Sequence, residues 1–221
     1  MATVYSSSGD AWRRKTDSSA WATARGGAGI AGGAGASNAS NYSFAIYGSY
    51  EGGRGSNTYY CTRTYLPFNL SLQSGTISTA YLNVYASENT TSGSDGGDFA
   101  KVIAVQATAL GDSNDDHGNC FSSGTTLGTT LSDVVTISGT RFYEFTFTAD
   151  GKSAMQSLIG SGTFTICIMN WYFDYSNNAP SLNGDKSIIK VYYSESIYDP
   201  YLTINYSAAV THNATFFGAN F

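Results

Sequence analysis

Residues 61–70, Cys-Thr-Arg-Thr-Tyr-Leu-Pro-Phe-Asn-Leu, and residues 78–87, Ser-Thr-Ala-Tyr-Leu-Asn-Val-Tyr-Ala-Ser, decide the fold class. In the second stretch Ala80, Leu82 and Val84 fall on one side of an extended chain and Tyr81, Asn83 and Tyr85 on the other. That period-two pattern belongs to a strand with one face on a core. The first stretch is rich in β-branched and aromatic residues, and Pro67 suits a strand end, because it has no N–H to give to a ladder. Gln73-Ser74-Gly75-Thr76 lies between them and reads as the turn.

Working outward, similar runs predict strands over residues 3–5, 41–50, 59–68, 77–86, 100–108, 134–137, 141–148, 164–171, 187–193 and 201–206. Residues 150–159 are the single helix candidate: Asp150 is a suitable N-cap, Ala154, Met155, Leu158 and Ile159 recur at helical spacing, and Gly160 supplies the stop. About ten strands, one short helix and connections too brief for parallel crossovers predict an all-β protein, an antiparallel β-sandwich of the jelly-roll type.

Composition agrees. Only 12% of the 221 residues are charged, while Gly (25), Tyr (17) and Phe (12) are abundant, which favours strands and turns over helices. The organisation expected is an N-terminal ribbon and Gly-rich arm over residues 1–58, packed on the same domain, a sandwich over 59–207 and an apolar tail over 208–221. Trp12 and Trp21 would anchor the ribbon. Residues 26–40 are small and glycine-rich but lack the Gly-Lys-Ser/Thr of a phosphate loop, so they read as a surface loop or arm.

The net charge of -5 excludes nucleic acid as the expected partner, since phosphate contacts need a basic surface. The largest basic cluster, Arg13-Arg14-Lys15, reads as a solvated turn. No apolar run approaches the roughly 18–20 residues that span a bilayer, so no membrane contact is expected. The first residues show no basic segment followed by an apolar one, so a secretory leader is not expected.

Candidate sites are few. The histidines, His117 and His212, lie far from any Gly-x-Ser-x-Gly motif, so no catalytic triad is expected and the chain is read as non-enzymatic. Trp171, Tyr172, Asp174, Tyr175 and Asn177 could form a sugar platform, with rings stacking on pyranose faces and the polar groups bonding hydroxyls; alternatively Trp171 and Phe173 finish a core strand. Asp112, Asn114, Asp115 and Asp116 offer the hard oxygens that Ca2+ takes, or form a plain solvated turn; no other cofactor is expected. Cys61, Cys120 and Cys167 lack zinc spacing. Cys167 reads as a buried hydrophobe, and a Cys61–Cys120 bridge is left open.

A resemblance adds to this. Arg63-Thr64-Tyr65-Leu66-Pro67-Phe68-Asn69-Leu70, then Gly75-Thr76-Ile77-Ser78-Thr79-Ala80-Tyr81-Leu82-Asn83-Val84-Tyr85, and finally Val191-Tyr192-Tyr193-Ser194-Glu195 with Asp199-Pro200-Tyr201-Leu202-Thr203-Ile204-Asn205-Tyr206, resemble the DNRLRE type of jelly-roll module over about residues 60–207. Asn69 stands where Asp is usual. Such modules are similar to carbohydrate-binding modules and occur in phage virion and bacterial surface proteins. The resemblance therefore implies a virion structural protein (head decoration, fibre or tail component) made in the host cytoplasm, with other virion proteins and copies of itself as partners. The alternative is a carbohydrate-binding or adhesion module at a cell surface, with glycans as partners. Arg63 is expected to be structural, bonding acidic or carbonyl groups inside the sandwich.

Overall fold

The computed structural model describes residues 1–7, 9–26, 43–53, 56–93, 98–111, 114–124, 126–181, 184–192 and 197–207. The arm beyond Gly26, the tail over 208–221 and Asp112 lie outside the described residues. Thirteen strands are described: β1 (Ala2–Tyr5), β2 (Ala11–Asp17), β3 (Ser43–Gly53), β4 (Ser56–Asn69), β5 (Ile77–Ser92), β6 (Lys101–Ala107), β7 (Phe121–Ser123), β8 (Thr126–Leu127), β9 (Val135–Thr136), β10 (Thr140–Thr146), β11 (Thr163–Asn170), β12 (Lys186–Tyr192) and β13 (Tyr201–Tyr206). Two helices, α1 (Trp21–Arg25) and α2 (Ala149–Gln156), accompany them.

All pairings are antiparallel, and the chain forms an all-β sandwich. The ladder runs β1-β13-β5-β12-β3-β4-β11-β6-β9, with β10 also on β5 and β2 also on β4. β5 is long enough to serve several partners. Its first part is flanked by β13 and β10, and its second part continues onto β12. β4 carries β2 along one edge and β3 then β11 along the other. Pro67 fits near the end of β4: its carbonyl accepts from Ser7 N at 2.8 Å, on the edge that β2 has already left, so no ladder N–H is missing.

Alternation then places the core. Leu66 and Phe68 of β4, with Phe164, Ile166 and Ile168 of β11, face Leu82, Val84, Phe145, Leu202 and Ile204 across the sandwich. The opposite face of β4, bearing Cys61, Arg63 and Tyr65, is buried too, beneath α1, the segment around Asn114–Gly118 and the turn Trp171–Tyr175. β4 is thus covered on both sides, whereas β5 is covered on one.

Local chemistry explains the helix and corrects its cap. Thr148 is the N-cap, its Oγ1 accepting from Gly151 N at 3.0 Å and donating to Thr130 O at 3.1 Å. Asp150 sits instead in the first turn, where a negative charge favours the helix N-terminus. Gly160 takes φ +78 beyond the helix, and its N–H bonds Leu70 O at 2.9 Å.

One further expectation needs correction, and one question left open is answered. Arg13-Arg14-Lys15 is part of β2, not a solvated turn, and Arg13 is buried against Asp116. The reason is a partner about a hundred residues away, which no local pattern displays. Cys61 and Cys120 are not bridged: all three cysteines are free and buried. Trp21 does anchor its segment, packed with Cys61, Phe99 and Phe173, while Trp12 is partly buried against the sandwich core.

Candidate functional site

Arg63 organises the layer outside β4. Its Nε and Nη2 reach the two carboxylate oxygens of Asp174 at 2.6 and 2.7 Å. Nη2 also donates to Arg25 O at 2.6 Å, and Nη1 to His117 O at 2.7 Å, with His117 Nδ1 at 3.2 Å. A guanidinium has five N–H donors, and these contacts use all of them. If His117 Nδ1 accepts, its Nε2 carries the hydrogen and donates to Cys61 O at 3.2 Å, which makes the imidazole neutral. Burial is the largest single influence and works against the Arg63 charge, yet Asp174 and the other neighbours together keep the guanidinium protonated more firmly than usual. The Phe121 ring, 4.9 Å from the guanidinium, closes the cluster. Such a set of mutually satisfied groups holds segments together.

Arg63 is therefore structural, as expected, but it bonds beneath the outer layer rather than within the sandwich core. Asp174 cannot serve a sugar platform, because it is 1% exposed with both oxygens held by Arg63. The residues around it form one π-helical turn, Trp171–Tyr175, started by Asn170, whose Oδ1 accepts from Phe173 N at 2.7 Å. Trp171 and Tyr175 are partly buried against Ile103, Val105 and Met169, and Tyr175 shares a hydrogen bond with Thr130 Oγ1 at 2.9 Å. Tyr172 packs with Phe99 and Phe173, and Asn177, exposed, takes φ 56. These side chains point to different surroundings, so they make no common platform. The other reading, that Trp171 and Phe173 finish the preceding core strand, is corrected too: β11 ends at Asn170, Trp171 is only partly buried, and Phe173 is buried from the turn that follows.

The calcium set divides similarly. Asp116 is buried, 3.3 Å from Arg13 Nη2 and accepting from Asn119 Nδ2 at 3.1 Å, so its charge is already neutralised by protein. Asn114 and Asp115 belong to a 3₁₀ turn, Asn114–Gly118, with side chains outside the described set. Among the described residues no group of three His, Cys, Asp or Glu is placed to hold a metal.

A different surface gathers the chemistry. The outer face of β1, β13, β5 and β10 carries a connected set of rings. Tyr85 stacks on Tyr198 with centroids 4.1 Å apart and planes at 22°, and meets Phe142 and Tyr192 edge-on at 5.1 and 5.5 Å. Phe142 continues to Tyr201 at 6.0 Å and Tyr201 to Tyr5 at 5.8 Å. Phe142 is 43% and Tyr5 59% exposed. Asn83 lies among them, opposite Tyr201 on one neighbouring strand and Glu144 on the other. Sequence alternation had already turned Tyr81, Asn83 and Tyr85 away from the core. The available signal was that rings occupy outward positions where a one-sided antiparallel sheet usually places polar residues.

No helix among the described residues is long and apolar enough to cross a membrane. Compared with known families and with curated proteins, the chain matches no family model and no curated protein.

Proposed function

We propose that the chain is a non-enzymatic structural protein of a phage virion, a head decoration, fibre or tail component, whose jelly-roll body displays the aromatic face of β5 as its working surface. The observation that carries a binding role is that face: a contiguous set of rings left open on a sheet whose other side is fully packed. Exposed apolar patches of this kind mark interaction sites. The buried Arg63–Asp174 cluster supports the same reading, since it stiffens the body without offering reactive groups. Residence on a virion, with other virion proteins and further copies of the chain as neighbours, is supported by the resemblance of residues 60–207. The test is mass spectrometry and cryo-electron microscopy of particles purified from a lysate that makes this chain. A fixed copy number per particle is expected, and particles that lack the chain would refute its place there.

The second reading is a carbohydrate-binding or adhesion module of a bacterial or phage surface protein. It is favoured by the amide and carboxylate set among the rings, at Asn83 and Glu144.

A further inference from the structure

We propose that Cys120 and Cys167 are a redox pair that peroxide oxidises to a disulfide, tying the segment after the 3₁₀ turn Asn114–Gly118 to strand β11. Nothing in this depends on what the outer face of β5 binds.

Topology brings the two thiols together. Cys167 stands directly opposite Tyr65 in the ladder of β11 with β4. The Tyr65 hydroxyl donates to His117 O at 2.8 Å, which seats the turn leading into Cys120 above the same ring. Cys120, Cys167 and Tyr65 share one buried cluster with Ile103, Val105 and Met169. Register keeps Cys61 from Cys167. Cys61 lies four residues from Tyr65 along β4, about 13 Å at a strand rise of about 3.3 Å, and a disulfide joins Cα atoms no more than about 7 Å apart. It packs instead with Trp21, Phe99 and Phe173.

The surroundings divide the roles. Burial is the strongest influence on the Cys120 thiol and raises it, yet the Cys167 thiol beside it, the Arg63 charge and the Tyr65 hydroxyl together hold it below its ordinary value. Burial drives the Cys167 thiol well up. The thiolate is the attacking form of a cysteine, so Cys120 is the sulfur that reacts first and Cys167 the one that resolves. Attack of Cys120 on hydrogen peroxide forms an S–O bond and breaks the O–O bond, and the hydroxide released takes up the thiol proton as water. The Cys167 sulfur then attacks the sulfenic sulfur, forming S–S and breaking S–O, and the second hydroxide leaves with the Cys167 proton. Two thiols and one peroxide give one disulfide and two waters, with the sulfurs oxidised and the peroxide reduced.

A route for so small an oxidant is present. Asn119 and Phe121, on either side of Cys120, line a cavity of about 150 Å³ with Ala107 and Gly128. Gly128 N donates to Cys120 O at 2.8 Å, and Ala107 and Phe121 also pack on the cluster that holds the thiols. A layer of side chains therefore separates the cavity from the sulfurs. Peroxide is little larger than water and crosses such a layer through small local openings, whereas a charged aryl disulfide needs the segment unfolded.

The experiment treats the full chain, reduced and freed of reductant, with hydrogen peroxide at neutral pH, then denatures it, alkylates the remaining thiols and maps the peptides by mass spectrometry. The alkylated count is expected to fall from three to one, with Cys61 the thiol that remains and a single Cys120–Cys167 link formed. In Cys167→Ser the reaction should stop at a Cys120 sulfenic acid that dimedone traps, and in Cys61→Ser the link should still form. The closed form should melt about 5–10 °C higher, because the bond closes a long loop of the unfolded chain. The mapping is done on the parent chain, so a variant that fails to fold leaves the main readout intact. Three thiols after peroxide, a link through Cys61 or between chains, the same mixture of links in the folded chain as in urea, or an unchanged melting point would each overturn the proposal.

Discussion

Arg63 and Asp174, 111 residues apart in the chain, form a two-point ion pair with N–O distances of 2.6 and 2.7 Å, both side chains almost wholly out of water. Asp174 also has Arg25 Nε at 3.5 Å. One acid thus ties together β4, α1 and the turn after β11. A buried pair is not in itself a large source of stability, because desolving two charges offsets most of their attraction. Breaking it from one side is another matter.

Arg63→Met should destabilise the protein by about 3–5 kcal/mol, since it strands a buried carboxylate. Arg63→Lys should recover little of this, because an ammonium cannot span both oxygens or reach the carbonyls of Arg25 and His117 together. The double change Arg63→Met with Asp174→Leu should be more stable than Arg63→Met alone. Urea unfolding of the parent, Arg63→Met, Arg63→Lys, Asp174→Leu and the double variant checks this, and strict additivity of Arg63→Met and Asp174→Leu would refute the coupling.

The three cysteines should be silent in the native state. All are buried thiols, so a water-soluble disulfide reagent should react with them only at the rate of unfolding, and denaturant should release three equivalents. Burial pushes the thiols of Cys61 and Cys167 well above their ordinary range. With the folded value raised, this contribution to stability is complete below the unfolded thiol pKa of about 8.5 and is lost as pH climbs above it. Each thiol adds a slope of about 1.4 kcal/mol per pH unit there. Stability measured from about pH 8 to about pH 10 should fall, and Cys167→Ala should flatten the fall.

Gly151→Ala should destabilise, although alanine is the better helix former. A Cβ at position 151 would lie 2.3 Å from Leu131 O, so α2 would have to lift from the strand connection beneath it. A loss of about 1–3 kcal/mol is expected. Thr148→Ala, which removes the cap bond to Gly151, should cost about 1 kcal/mol. Thermal unfolding distinguishes them, and a stabilised Gly151→Ala would show that the contact is not rigid.

Asn170→Asp tests the buried amide that begins the turn after β11. Its Nδ2 donates to Phe99 O at 2.9 Å and to Ser187 Oγ at 3.0 Å, and a carboxylate would turn a bare oxygen toward that carbonyl. A loss of about 2–4 kcal/mol at neutral pH is expected. The new acid is better tolerated protonated, so its folded pKa is raised and the loss should shrink as pH falls toward about 4. A pH-independent loss would argue against it.

Much of the sandwich is legible in the sequence. The alternation in residues 78–87 places Ala80, Leu82 and Val84 inward, and all three are core residues of β5. Tyr201–Tyr206 and the region of α2 are equally readable, because periodicity is a local property, although the cap of α2 is Thr148 and not the expected Asp150. Arg13 and Asp174 are not: each looks like a surface charge until a distant partner is set against it. The Trp171–Tyr175 run carries the residue types of a sugar platform, yet the turn sends its rings to separate places.

What the sequence determined by itself is the β class, the inward set of β5 and the outward direction of Asn83 and Tyr85, since side chains alternate whatever the strand's neighbours are. Only the tertiary structure decided that Tyr201 and Phe142 come beside Tyr85 and Asn83, and that Asp174 is spent on Arg63. Strand order and register are long-range pairings between segments that share no local signal, so which outward residues become neighbours is settled only when the sheet closes.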